Sequence, residues 1–445
     1  MNNLRSKFLV PLALLVVLCI AYFVMAPQEA PMAEMAPEPV PMPVPMPEPT
    51  PAPAPETSAV GSTDPGDTSE ESVMEAPVIV EETVVEGEEK DYKTVELYFA
   101  TNRKKASASQ IKEGDPASQF SNARGTLEYG TVTVSIPREH KMGTMESQSW
   151  LASKFFNPDP EKHVVLQTAN IWSRERMLED INAKLADRSD KAILLFVHGY
   201  NTSYDKAARR TGQVVYDLAF HGPAMFFSWP SQARTRAYTV DAQTAQWAVP
   251  DMTKVLKDLT SRDADRIIVI AHSMGTRVLS RGLDALIRDT PEAAEKITTV
   301  VLAAPDIDAD VFKQQLLPSF RKLTNPATVY ASDGDTALLA SEKVNGQIRL
   351  GDTSEGISAM DGIEYIDASG FKSDFFGHTY FGDNASILSD IFRVVCTQKP
   401  AKDRNFLAKL EVQDTSVTPA KNVAYWKMVP PPKNQRDVAL DPCAL

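Results

Sequence analysis

From Lys93 onward the chain alternates between two hydrophobic patterns. Short runs, almost wholly aliphatic or β-branched, are separated by longer stretches in which apolar residues recur every three or four positions. The runs are Val95–Ala100, Thr131–Pro137, Ala192–Val197, Ala224–Ser228, Ile267–Ala271, Thr299–Ala304, Ala327–Ala331 and Ile363–Ile366. A strand with one face in water alternates apolar and polar residues. The near-continuous central runs therefore predict strands covered on both faces. Helical periodicity is found at Ser173–Ala186, Tyr204–Phe220, Ala242–Leu259, Thr276–Arg288, Ala309–Leu317, Thr336–Val344 and Ala385–Val395. Strand–helix alternation predicts an α/β domain, a mostly parallel central sheet with helices on both faces. The first two runs have no clear helix between them and are expected to be antiparallel edge strands.

The chain before Lys93 is built differently. Arg5 and Lys7 precede an uncharged apolar run, Phe8 to Met25. Such a run spans roughly 27 Å as a helix, close to the thickness of a bilayer's hydrocarbon core. The next basic residue is Lys90, an asymmetry that places the N-terminus in the cytosol and the remainder outside. Residues 1–25 are thus expected to be an uncleaved anchor. The alternative is a cleaved signal peptide, against which stand the length of the run and the proline in Met25-Ala26-Pro27. Cys19 follows Leu18 rather than the small residue that lipid attachment wants.

From Ala26 to Glu56 proline falls at nearly every second position, which denies the backbone its donors and predicts an extended polyproline II segment on the order of 90 Å long. Residues 57–90 are acidic and rich in Ser, Thr and Gly, and are expected to be disordered. The segment 26–91 carries sixteen Asp and Glu against Lys90 alone, while the whole chain is −13. The acidity belongs to this linker and the rest is nearly neutral, so no basic surface argues for a nucleic-acid partner. The three cysteines form no metal-ligand spacing, and neither a metal nor an organic cofactor is expected.

Chemistry enters at Ile267-Ile-Val-Ile-Ala-His-Ser-Met-Gly275. An apolar strand runs into a turn of small residues and then directly into a helical pattern, the context of a nucleophile elbow. Ala271 and Gly275 flank Ser273 at the two positions that must be small. The elbow exposes the Ser273 hydroxyl and makes the Met274 N–H an oxyanion donor. Upstream, Ala192–Val197 ends in His198-Gly199-Tyr200. In this type of site the loop after that strand gives the second oxyanion N–H, here assigned to Tyr200, with Gly199 allowing close approach. His198 is expected to brace the loop rather than act as base, and His272 to be structural. The base is expected late in the chain, at His378 in Phe376-Gly-His-Thr-Tyr-Phe381. The remaining histidines, His140, His163 and His221, are expected at the surface. Three aspartates compete for the acid: Asp335, favoured by the order Ser273, Asp335, His378 and itself suited to capping a helix, with Asp333 and Asp306 as alternatives. The stretch Ser228 to Pro250, rich in Arg, Tyr, Gln and Trp, is a candidate lid or pocket wall.

The strings LLFVHGYNTSYDKAARR, MFFSWPS, VIAHSMGTRVLSRGL, VVLAAPDIDADVF, TVYASDGDTALLAS and LYFATNR resemble a bacterial α/β-hydrolase group of unknown function, esterase- or lipase-like, over roughly residues 93–395. The resemblance implies an α/β-hydrolase fold and places Ser273, Asp335 and His378 on the presumed triad positions. The resulting division is an anchor at 1–25, a linker at 26–91, the hydrolase domain at 92–395 and a C-terminal tail at 396–445. The expected activity is a serine hydrolase acting on a carboxylic ester or thioester through an acyl-enzyme, with a small-molecule or lipid-like acyl substrate. The alternative is a stalked envelope protein that binds a partner on a hydrolase scaffold without catalysis. The expected location is the bacterial inner membrane, single-pass, with the domain in the periplasm, or the periplasm itself after signal cleavage. In that oxidising compartment Cys396 and Cys443 are the candidate disulfide.

Overall fold

The computed structural model describes residues 91–149, 157–335, 338, 341–342, 345–371, 384–414 and 419–430. The apolar run Phe8–Met25, the stalk, His378 and Cys443 lie outside the described residues. Among the described residues no helix is long and apolar enough to cross a membrane.

Among the described residues eleven strands form one sheet. In chain order they are β1 (Tyr92–Lys105), β2 (Phe120–Pro137), β3 (Val165–Trp172), β4 (Ala192–Val197), β5 (Ala224–Ser228), β6 (Arg266–His272), β7 (Ile297–Ala303), β8 (Ala327–Ala331), β9 (Ile363–Asp367), β10 (Leu407–Asp414) and β11 (Lys421–Met428), arranged β10-β11-β9-β8-β7-β6-β4-β5-β1-β2-β3. From β1 through β5, β4, β6, β7 and β8 to β9 every pairing is parallel. The principal helices are α1 (Arg174–Ala186), α2 (Tyr204–Asp217), α3 (Tyr238–Thr260), α4 (Gly275–Asp289) and α5 (Asn384–Phe392).

The unbroken apolar runs are explained by what covers them. In β4, Ile193, Leu195 and Val197 join a core that contains Met177 and Ile181 of α1, Met252 and Leu256 of α3, and Val278 and Leu279 of α4. Their neighbours Ala192, Leu194 and Phe196 join a second core with Ala207 and Val214 of α2 and Ile387 and Ile391 of α5. Each strand residue is buried whichever way it points, so no polar alternation survives.

The structure corrects the sequence expectation in three places. The antiparallel pair β1–β2 is not at the edge, because β3 pairs beyond β2. β3 reads Val-Leu-Gln-Thr-Ala-Asn-Ile-Trp, its apolar residues too interrupted by Gln, Thr and Asn to stand out as a strand. The C-terminal segment is not a mere tail: β10 and β11 form an antiparallel hairpin, and β11 docks parallel on β9 through Trp426 opposite Ile366 and Lys427 opposite Asp367. Pro400 and Pro419 lie outside these strands, where a missing N–H costs no ladder bond. Third, His140 is not a surface residue. Its ring is about 3% exposed and sits between Glu146 Oε2 and Asp217 Oδ1, each at 2.8 Å. Asp217 also accepts from Gly143 N at 2.7 Å. The pair thereby ties the 138–146 segment to α2. His221 is exposed, as expected.

Burial opposes the charge of His140, but the hydrogen bonds and charges of Asp217 and Glu146 outweigh it and hold the imidazolium up to about 9. A raised folded-state pKa contributes stability that is fully present below the unfolded value near 6.5 and is lost as pH rises through about 9. His140→Gln is therefore expected to cost about 2–3 kcal/mol in urea unfolding at pH 6 and much less at pH 10. A deficit that stays constant between those pH values would refute the charged pair.

Candidate active site

Parallel strands place their C-terminal ends on one edge, and the loops that leave that edge build the site. Ser273 follows β6, Asp306 follows β7, Asp335 follows β8, and the loop with His378 follows β9. Chain order and strand order run the same way here, so Ser273, Asp306 and Asp335 emerge along one rim.

At Ser273 the backbone turns abruptly. Its φ is +49°, in the left-handed region that side chains with a Cβ rarely enter. The next residue, Met274, is already helical at φ −61° and ψ −22°, and α4 begins at Gly275. The turn is held at both ends: Ser273 N donates to Ala303 O at 3.0 Å, and Ser273 O accepts from Thr276 N at 3.0 Å and Thr276 Oγ1 at 2.6 Å. This strand–turn–helix strain sets the Ser273 side chain at the head of a helix.

Two glycines let the loop after β4 close on this elbow. A Cβ on Gly199 would stand 2.9 Å from Ser273 Cβ, and one on Gly275 would stand 2.2 Å from the His198 carbonyl oxygen. Met274 is fully buried. The Tyr200 hydroxyl donates to Thr235 O, and its ring lies edge-on to Tyr238 at 5.6 Å. Its side chain is thus committed to the neighbouring loop, and the backbone is what it offers the site.

His198 is 2% exposed and stacked on Trp229, ring centroids 5.2 Å apart. Burial, reinforced by the charge of Arg103, lowers its pKa to about 3. Burial and Arg210 lower that of His272 to about 3 as well. Both rings are neutral and built into the scaffold.

The acid candidates differ in their surroundings. Asp306 is buried with its carboxylate engaged: Tyr238 Oη donates at 2.9 Å, Ser341 Oγ at 2.5 Å, and Arg277 Nη2 lies at 2.9 Å. Asp333 is exposed. Asp335 accepts from Leu338 N at 3.1 Å, the N-cap contact its position suggested.

The stretch Ser228–Pro250 divides. Trp229, Ser231 and Asp241 are fully buried and act as scaffold. Tyr238 instead joins Arg277 and Asp306 beside the elbow, with Arg277 Nη2 donating to its hydroxyl at 2.7 Å.

The family described as Alpha/beta hydrolase of unknown function (DUF900) matches residues 173–396. The chain belongs to that family. No curated protein matches this hydrolase in sequence. Among solved structures it is similar to an esterase of Pyrobaculum calidifontis, at 13% identity over 48% of this chain and 77% of that one, with a TM-score of 0.28. It is likewise similar to a Rhizomucor miehei esterase, at 12% identity over 68% and 83% with a TM-score of 0.30. Thermogutta terrifontis esterase 2 phosphonylated by sarin shares 14% identity over 48% and 87%, with a TM-score of 0.28.

Sequence reasoning missed Arg103 of β1, although it closes the LYFATNR string. Arg103 is fully buried in this hydrolase, and burial lowers its pKa to about 9. No local signal marked it, since Lys93, Glu96, Lys104 and Lys105 are charges of the same strand.

Proposed function

We propose that this hydrolase cleaves a carboxylic ester or thioester through an acyl-enzyme on Ser273. The observation that carries the reading is the φ of +49° at Ser273, on a turn with the Gly199 backbone packed against its Cβ. Strain of this kind persists where the surrounding structure over-determines it, and here it presents a hydroxyl to two loops that supply N–H groups.

In the proposed cycle His378 removes the Ser273 proton as Oγ attacks the carbonyl carbon. The N–H groups of Met274 and Tyr200 receive the charge developing on the carbonyl oxygen. The tetrahedral intermediate collapses as His378 protonates the leaving alcohol or thiol. Water, deprotonated by His378, then attacks the acyl-enzyme and releases the acid and Ser273. Asp335 fixes the imidazole tautomer and stabilises its cation. The scheme assigns no step to a metal or cofactor. The acyl substrate is a small molecule or lipid-like.

A fluorophosphonate probe on the full-length protein tests this directly. Label mapped to the peptide containing Ser273 supports the scheme; an unlabelled folded protein favours the non-catalytic binding reading instead. Asp335→Asn is expected to lower kcat about 10⁴-fold, as loss of a triad acid does. A larger loss in Asp306→Asn or Asp333→Asn at unchanged stability would move the acid.

We further propose that Phe8–Met25 anchors the chain in a bacterial inner membrane with the hydrolase domain in the periplasm. Protease added to spheroplasts should then release an active fragment, and protection of the domain would reverse the orientation. Cys396 is disulfide-bonded. The proposed partner is Cys443, and non-reducing mass spectrometry that found both thiols free would remove the bridge.

A further inference from the structure

We infer that Arg103 and Ser228 are positioning residues, which act through His198 to set the orientation of the Gly199–Tyr200 peptide and so aim the Tyr200 N–H. This rests on the serine-hydrolase reading and adds to it a device that prepares the oxyanion site.

The hydrogen bonds run in one direction. A guanidinium can only donate, and Arg103 Nε donates to Ser228 Oγ at 2.8 Å. Ser228 Oγ lies 3.4 Å from His198 Nε2. A carbonyl oxygen can only accept, so the contact of 2.8 Å between His198 Nδ1 and Gly199 O places the imidazole proton on Nδ1. Neutral His198 therefore accepts at Nε2, and Ser228 turns its own proton toward it. The chain reads Arg103 Nε–H, Ser228 Oγ–H, His198 Nδ1–H, Gly199 O. The opposite tautomer would set an unprotonated Nδ1 against the Gly199 carbonyl oxygen at 2.8 Å, acceptor facing acceptor.

Its last link falls on the peptide that matters. Gly199 O and Tyr200 N–H belong to one planar trans unit, in which C=O and N–H point in opposite directions. Fixing the oxygen fixes the N–H. The imidazole cannot tilt away, being stacked on Trp229, whose Nε1 donates to His198 O at 2.8 Å.

The rest of Arg103 holds the same loop. Nη2 donates to Thr202 O at 2.7 Å, and Nη1 to Asn122 Oδ1 at 2.7 Å and Ser231 O at 3.1 Å. Asp241 complements it from α3, accepting from Ser231 Oγ at 2.6 Å, Gln232 N at 2.8 Å and Asn201 N at 3.4 Å. The guanidinium takes the Thr202 carbonyl of this loop and the carboxylate its Asn201 N–H, and both also hold the segment at Ser231 and Gln232. Between them Asn201, directly after Tyr200, is held at φ +56°. Pinning of this kind leaves little reorganisation for the moment of reaction.

The experiment is Ser228→Ala in the full-length protein, with Ser228→Thr as the conservative variant and a short-chain p-nitrophenyl ester as substrate. Ser228→Ala is expected to lower kcat about 10- to 100-fold with KM within about two-fold, somewhat less than outright loss of an oxyanion donor. Affinity for a trifluoromethyl ketone, which forms a tetrahedral adduct, should fall by the same factor, and Ser228→Thr should recover most of it. Wild-type kcat in Ser228→Ala, or a loss confined to KM or to thermal stability, overturns the inference. Nitrogen-15 spectra of histidine-labelled protein read the relay without turnover: wild-type His198 should be the Nδ1–H tautomer, and an Nε2–H tautomer also overturns it. If wild-type protein neither turns over the ester nor takes the fluorophosphonate, it is the serine-hydrolase reading that fails. The tautomer then still judges the relay.

Discussion

Ser273→Ala is expected to lower ester turnover by about 10⁴-fold or more while the protein stays folded, because in the proposed mechanism the nucleophile is the one group that the two N–H donors cannot replace. The backbone adds a second expectation. Ser273 sits at φ +49°, and alanine gains nothing there, since it has the same Cβ. Glycine does not suffer the clash. Ser273→Gly should therefore be as inactive as Ser273→Ala yet more stable to unfolding by about 1 kcal/mol. Inactive Ala and Gly variants with that stability order would tie the strain to the catalytic turn. Wild-type-like turnover in either folded variant would end the proposed mechanism.

Arg404→Met is expected to be the most destabilising single change outside the site. Arg404 has a fully buried side chain and lies beyond the family-matched region. Its Nη1 donates to Asp390 Oδ2 at 2.9 Å and its Nη2 to Glu364 Oε2 at 2.8 Å. Asp390 belongs to α5 and Glu364 to β9, so one guanidinium joins the C-terminal segment to the two elements that flank the His378 loop. Tyr330 of β8 completes the cluster, donating to Asp390 at 2.7 Å. Removing the cation strands two buried carboxylates, at a cost of about 3–5 kcal/mol.

The pH dependence has a definite sign. Burial raises the pKa of Glu364 and of Asp390, and Arg404 opposes it in both. Without Arg404 both rise further, so the carboxylates destabilise the fold while ionised and cease to do so once protonated. The Arg404→Met deficit should therefore shrink as pH falls from 7 toward 5. Combining Arg404→Met with Glu364→Gln and Asp390→Asn should recover much of the loss, since no buried charge remains. A single variant as stable as wild type at pH 7 would show that the C-terminal segment is not held in this way.

How much of this was legible depended on the range of the interaction concerned. The eight strand runs were visible because strands covered on both faces admit hardly any polar residue, and that exclusion is written locally. β3 and the β10–β11 hairpin lie at the two sides of the sheet, where one face or edge meets water. Charges such as Lys409 and Glu411 are tolerated there, and the pattern fades into that of a loop. His140 looked like a surface residue because nothing near it in sequence shows that Asp217, on another element, closes over it. Arg103 and Arg404 were silent for the same reason. Each is one basic residue among forty-six Lys and Arg, and its burial depends on acceptors contributed by distant segments.

By itself the sequence determined the α/β alternation, the elbow at Ser273 with its small neighbours Ala271 and Gly275, and the His-Gly-Tyr loop after β4. Each of these follows from backbone and side-chain constraints acting within a few residues. The tertiary structure alone decided that Gly199 meets Ser273, that Asp306 is held by Arg277, Tyr238 and Ser341, that His198 is neutral and stacked, and that Arg103 and Arg404 are interior charges. Hydrogen bonds and desolvation act over a few ångströms in space, between residues that the chain itself keeps tens to more than a hundred positions apart.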